Sequence, residues 1–168
     1  MMCTQSLGQH YLAVARAALA SQKSLAERAI AQVTDEQLHW QPGPESNSIA
    51  TVMKHLAGNM LSRWQDILTT DGEKPTRKRD EEFIDEDLSR AELVALWERG
   101  WKRVFETLDT LSEGDLMRTI TTRGKPHTLL EGIQGHVSHY GYHVGQIVYV
   151  ARHLAGDNWK TLSIPKKR

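Results

Sequence analysis

Cysteine is nearly absent from this sequence. Cys3 is the only one, so no disulfide can form within the chain. None is needed, because a chain of 168 residues buries roughly 70% of its unfolded surface on folding. The scarcity of cysteine fits a reducing compartment, and the cytoplasm is the expected location. Long apolar runs are missing too. None approaches the ~20 residues that cross a bilayer as a helix. The opening MMCTQSLGQHYLAVARAALA has neither the basic start nor the apolar stretch of a secretion signal. Nor is there an excess of one charge: Lys+Arg and Asp+Glu stand at 21 each. That balance argues against a dedicated nucleic-acid binder. With no internal repeat and no compositional break, residues 1–168 read as one domain.

What is present is helical periodicity. Apolar residues recur at helical spacing in four segments, near 6–32, 48–69, 89–111 and 128–155. The first carries Leu7, Tyr11, Val14, Ala18, Leu25 and Ala29. The second opens at Asn47 or Ser48, either of which suits an N-cap. It then shows Ile49, Val52, Met53, Leu56, Met60 and Ile67. The third begins with a capping box, Ser89 and Glu92, and carries Trp97 and Trp101 on one face, as core residues. The fourth begins with another, Thr128 and Glu131, and stops at Gly156, a residue suited to a C-cap. Four such helices make an all-α bundle.

Two connections carry information. QPGPESNS, between the first two helices, reads as a loop. The polar stretch from Thr70 to Asp87 is long for a helix–helix connection. It is either a mobile loop or a crossover that sends the third helix alongside the second. Its basic part, Lys74 to Arg79, reads as solvated, with contact to an anion as the alternative. Between the third and fourth helices, Arg118 to Thr122 alternates like a strand and Arg123-Gly124-Lys125-Pro126 has turn chemistry. A small hairpin is therefore expected near 117–127.

The fourth helix carries two overlapping stripes. One is an ordinary seam of Ile133, Val137, Tyr140, Val144, Ile147 and Ala151. The other runs Gly132, His136, His139, His143, Ile147, Val150 and Leu154. Together they cover a wide arc, which implies burial on two sides, one of them against a neighbouring subunit. His139 and His143 are four apart, so their imidazoles project one turn apart on one face. Such a pair converges on one ion at ~2.0–2.1 Å, the Zn–N distance. A third ligand must come from a facing helix, and His55 is the best placed. Imidazoles suit Zn, Ni, Cu and Fe alike. Because ligands must be neutral, metal binding is expected to weaken as pH falls through ~6.5. His136 shares the stripe. With His139 it forms an i,i+3 pair that could also chelate, but it is read as a supporting residue or a simple hydrogen-bonding one, and as a proton relay if the protein is an enzyme. His10, His39, His127 and His153 have no comparable setting.

The segments SIATVMKHLAGNMLSRW around His55 and HVSHYGYHVGQIVYVARHL around His139 and His143 resemble those of the DinB-like four-helix-bundle metalloproteins, which include the YfiT-type proteins. The closing NWKTLSIPKKR is similar to the tail of an uncharacterised branch of that group. The resemblance covers nearly the whole chain. It implies a bundle with a crossover between helices two and three, a metal site on His55, His139 and His143 with an open coordination position, and a homodimer. Zn or Ni is the divalent ion expected there. Some relatives are transferases or isomerases that use low-molecular-weight thiols.

Three functions compete. The first is a metal-dependent enzyme acting on a small molecule, in which the metal activates water or a thiol and His136 relays a proton. The second is a non-catalytic, metal-binding or stress-related dimer. The third is a plain bundle whose histidines only make hydrogen bonds. No strong general base stands beside the triad, since Glu131 reads as a cap. This favours transfer over hydrolysis.

Overall fold

A computed structural model describes residues 5–164, so Cys3 and the last residues of the basic tail lie outside it. The helices are α1 (Leu7–Ile30), α2 (Asp35–Leu38), α3 (Ile49–Trp64), α4 (Arg90–Thr110) and α5 (Leu129–Ala155). A two-stranded antiparallel hairpin, β1 (Thr119–Thr122) with β2 (Lys125–Thr128), precedes α5. The fold is an all-α bundle of four long helices with this small hairpin as an appendage.

Local chemistry sets the helix starts. Ser6, Ser89 and Thr128 each accept from the third backbone amide of their helix, and Gln9, Glu92 and Glu131 reach back to complete capping boxes. Each cap stabilises by ~1 kcal/mol. Ser48 caps α3, accepting from Thr51. Gly156 ends α5 at φ 52, a backbone that glycine adopts without strain.

Side-chain contacts fix the helix directions. Tyr11 donates to the Leu130 carbonyl and Gln37 to that of Leu154, so α1 and α5 run in parallel. Arg16 pairs with Asp109, while Arg90 donates to the Val33 carbonyl, so α4 is antiparallel to α1. At the other interface Gly100 sits so close to Ala57 that an added Cβ would stand 3.1 Å from its Cα. Thr107 donates to the Trp64 carbonyl. The second and third long helices are therefore parallel neighbours, and residues 65–89 form the crossover between them. Trp64, Trp97, Trp101 and Tyr140 are fully buried at the centre with Leu19, Met53, Leu56 and Met60.

Two boundaries and one buried face differ from the periodicity. The short α2 lies beyond the point where the first stripe fades, capped by Thr34 and seated on Leu38. The second long helix stops at Trp64 rather than near residue 69, because Gln65 is extended and Asp66 takes φ 48. Ile67 is still buried, which is why the stripe seemed to continue. On α1, Leu7 and Val14 are exposed, and the buried line is Ala15, Leu19, Ala26 and Ala29. An alanine-rich helix offers a broad apolar arc, and the bundle uses its narrowest side.

The hairpin turn places Arg123 at φ 53 and Gly124 at φ 71, the geometry of a type I′ turn. Asp71, from the crossover, accepts from the amides of Arg123, Gly124 and Glu73. These amides, those of Gly124 and Glu73 foremost, pull its carboxyl down to about 2. A depressed carboxyl stabilises the fold fully above its unfolded pKa of ~3.9 and loses that contribution as pH falls through the folded value. Hydrogen-exchange protection of Arg123 and Gly124 should therefore collapse between pH ~4 and ~2, ahead of the bundle. Uniform protection across that window would show that Asp71 does not hold the turn.

Candidate metal centre

Helix α3 is the most enclosed element, and even its polar residues Thr51, His55, Asn59, Ser62 and Arg63 are buried. His55, Asn59 and Arg63 follow at intervals of four, so they line one face. That face meets the His136, His139 and His143 face of the antiparallel α5. His55 comes against His139 and His143, with ring centroids 5.5 and 4.9 Å away. One end further along, Trp64 packs on His136 at 5.2 Å.

The three expected ligands come together. One ring nitrogen from each of His55, His139 and His143 lies within 4.8 Å of the others, so the group can hold a metal ion. The Nε2 atoms of His139 and His143 are 3.1 Å apart. Two nitrogens bound tetrahedrally at the usual zinc distance stand ~3.3 Å apart, so the pair is already near that spacing.

The outer nitrogens determine which atoms face inward. His143 Nδ1 lies 2.9 Å from Gln146 Oε1, so it carries the proton and Nε2 keeps its lone pair. His55 Nδ1 lies 2.9 Å from Glu82 Oε2, so its Nε2 is the one offered to the cluster. A carboxylate on the outer nitrogen fixes the ring and raises its basicity as a ligand. Arg77 grips the same carboxylate with two hydrogen bonds of 2.7 Å. Burial would raise the Glu82 pKa, but the hydrogen bonds from Arg77 and His55 outweigh it and hold the carboxyl below its ordinary value.

Burial disfavours the charged form of the histidines on α5. Burial, then the neighbouring His143 and His55, push His139 down to about 4. Burial also lowers His143, against the hydrogen bond to Gln146. Protons would thus compete with a metal at lower pH than the unperturbed ~6.5. His136 is pushed down to about 3 by burial and by the charge of Arg63. It is half-buried, stacked between Trp64 and Tyr140, and no hydrogen bond ties it to the described residues. Tyr140 donates to Asn59 and accepts from Trp64 Nε1.

A cavity of about 600 Å³ opens beside the triad. The triad forms one end of its wall. Arg63, Arg77, Arg123, His127, His136 and Tyr142 are among the other residues that line it.

Several expectations need correction. The basic run from Lys74 to Arg79 is not simply solvated: the Arg77 side chain is 4% exposed and serves Glu82. The histidine stripe is covered by α3 and the crossover of the same chain, so its burial does not by itself call for a second subunit. His127, set aside in the sequence, lines the cavity. Glu131 is a cap, as read, accepting from Thr128. Glu82 was missed. It sits in a charged run without periodicity, and the one usable signal was Phe83, the sole aromatic between Thr70 and Asp87, which packs on His55 at 4.6 Å.

Gly58 shows how tightly Glu82 is seated. A Cβ there would stand 2.3 Å from Glu82 Oε1 and 2.7 Å from Cδ. Gly58→Ala gains up to ~1 kcal/mol of helix propensity, but Glu82, clamped by Arg77, cannot swing aside. The expected net effect is a metal affinity lower by ~10–100-fold, as for loss of a supporting partner, with all three ligands intact. Calorimetric titration with Zn checks this. Unchanged affinity would mean that Glu82 does not position His55.

Among the described residues no helix is long and apolar enough to cross a membrane. No curated protein matches the chain. In fold it is similar to the crystal structure of a conserved protein from Enterococcus faecalis, with a TM-score of 0.64 and 18% identity over 84% of this chain and 95% of that one. Residues 6–168 match the family described as protein of unknown function DUF1572. The protein, an all-α bundle whose three clustered histidines can hold a metal, therefore belongs to the DUF1572 family.

Proposed function

We propose that the protein is a metal-dependent enzyme acting on a small molecule, with one divalent ion, Zn or Ni, held by the Nε2 atoms of His55, His139 and His143. One observation carries this reading: three imidazoles, two of them oriented by Glu82 and Gln146, converge beside a cavity large enough for a substrate. A divalent ion so held polarises a substrate oxygen or lowers the pKa of a bound water or thiol. Three neutral ligands leave its charge uncompensated, which favours an anionic fourth ligand such as a thiolate. This, with the resemblance to DinB-like metalloproteins, supports transfer to or from a low-molecular-weight thiol. In such a transfer the thiol sulfur bonds to an electrophilic carbon, the leaving group departs with the electron pair, and the thiol proton passes to a neutral imidazole or water. His136 stands on the cavity wall, but burial lowers it to about 3, so it would relay that proton to water rather than keep it.

The test uses untagged protein loaded with Zn, Ni or Co(II). Native mass spectrometry should find one ion per chain, and adding 2-mercaptoethanol should produce a sulfur-to-Co(II) absorption band. One ion with no thiol band would leave a metal-binding protein, the non-catalytic alternative. No ion at all would leave a plain bundle.

The homodimer is also proposed, on a surface other than the histidine stripe. Gly135, Ser138, Tyr142, Gly145 and Tyr149 recur at helical spacing on the outer face of α5 and are exposed, Tyr142 at 65% and Tyr149 at 78%. Small residues between aromatics permit close approach of a second helix. Sedimentation equilibrium should give twice the 19.0 kDa of one chain, and Tyr149→Glu should restore the single-chain mass. A single-chain mass throughout the micromolar range would overturn the dimer.

A further inference from the structure

The cavity has a second pole. At the end away from the triad, three guanidinium groups gather on one carboxylate: Arg63 donates to Glu73 at 2.7 Å, Arg123 at 2.9 Å and Arg77 at 3.5 Å. Arg77 is also committed to Glu82. Arg63, Arg77 and Arg123 are thus arrayed around Glu73 and Glu82, with Asp71 near enough to feel the charge of Arg63. Arg63 is 8% exposed, and its Nη1 is buried with no hydrogen-bond partner among the described residues. A guanidinium normally uses its whole fork when buried.

Backbone geometry adds an independent observation. Arg123 occupies the first central position of the type I′ turn at φ 53. Asn, Asp and Gly are the residues that suit this position, and a larger side chain held there is strained. Asp71 holds the turn in place through both central amides. Arg123 is thereby fixed at the cavity wall, with its side chain 56% exposed.

The structure assigns to this pole a carboxylate-binding subsite, built on Arg63 and completed by Arg123, so that the small molecule taken by the cavity carries a carboxylate at the end remote from the triad. The inference rests on the reading of the triad as the reacting end. The guanidinium fork matches carboxylate and phosphate alike, but Asp71, Glu73 and Glu82 already balance the three guanidiniums, so a monoanion is tolerated better than a phosphate dianion. Helix geometry sets the length of the ligand. His55 and Arg63 are eight residues apart on α3, so ~12 Å separates their backbones along the axis. A ligand whose reacting atom and acid group are separated by five or six bonds spans the space between their side chains. Asn59 lies between His55 and Arg63 on α3, and both it and His136 line the cavity.

The probes are 6-mercaptohexanoate and 6-mercaptohexan-1-ol, of equal length, titrated into Co(II)-loaded protein and read by the sulfur-to-Co(II) band. The acid should bind at least tenfold more tightly than the alcohol. Arg123→Gln should erase most of that difference while leaving the affinity for the alcohol unchanged, and Arg63→Gln should do the same if it folds. Equal affinities of acid and alcohol in the unaltered protein would overturn the subsite and leave the metal centre standing. A second measurement needs no metal: calorimetric titration of hexanoate and of hexan-1-ol into metal-free protein. Preference for hexanoate, lost in Arg123→Gln, supports the subsite even where Co(II) fails to load. No preference overturns it. Inorganic phosphate displacing 6-mercaptohexanoate at lower concentration than acetate does would overturn the choice of carboxylate.

Discussion

Replacing His143 with alanine is expected to strip the protein of most of its bound metal while leaving it folded. His143 contributes an Nε2 that already stands 3.1 Å from that of His139, and its outer nitrogen rests on Gln146. Removing the ring leaves two imidazoles from different helices, a donor set that holds a divalent ion poorly. Losing a supporting partner costs ~10–100-fold in affinity, so losing a ligand should cost more than ~100-fold. His143 is a cleaner choice than His55, whose removal also leaves the buried Glu82 with one fewer donor. His139→Ala should match His143→Ala. His136→Ala should keep its metal, because its ring packs between Trp64 and Tyr140 outside the triad. Metal content by mass spectrometry decides. Full occupancy in His143→Ala would end the three-histidine assignment. Loss confined to His136→Ala would mean that the fourth helix uses a different pair.

How far the sequence reveals this centre depends on the range of each interaction. His139 and His143 are local: four residues on one helix fix their relation, and the 3.6-residue repeat places them before any folding is known. The inward face of His55 is also readable, because it adjoins the Val52–Leu56 stripe. Helix starts at Ser48, Ser89 and Thr128 were legible for the same reason, since a cap is a bond between residues three apart. Glu82 is different. It reaches His55 across 27 positions from a segment with no repeat, and its burial follows from a pairing with Arg77 that composition cannot distinguish from solvated charge. The carboxylate pole was hidden likewise. Arg63 stands at the end of an apolar helix and Arg123 in a turn, and only the crossover, through Asp71 and Glu73, brings them to one place. The exposed face of Val14 on α1 shows the opposite failure, where periodicity was present but too broad in an alanine-rich helix to pick a side.

Arg77→Leu is expected to be among the most damaging single changes outside the core, costing about 3–5 kcal/mol of folding stability, the range for breaking one side of a buried ion pair. The side chains of Arg77 and Glu82 are 4% and 9% exposed. The two 2.7 Å bonds from Arg77 are what allow the carboxylate to remain charged there. Leucine keeps the apolar stem and removes the charge, leaving Glu82 with His55 as its one remaining side-chain donor. Gly58 and Phe83 leave the carboxylate no room to turn toward water on the helix side. Equilibrium urea unfolding of metal-free protein measures the loss without interference from ligand binding. Pairing Arg77→Leu with Glu82→Gln removes both charges, and the double variant should recover much of the stability, because the cost lies in the orphaned carboxylate rather than in a missing attraction. Its metal affinity should stay low, since an amide on His55 Nδ1 is a weaker support than a carboxylate. A loss below ~1 kcal/mol in Arg77→Leu, the scale of exposed pairs, would mean that the Arg77–Glu82 pair is solvated in solution. The crossover would then not be the rigid wall on which both the orientation of His55 and the carboxylate pole depend.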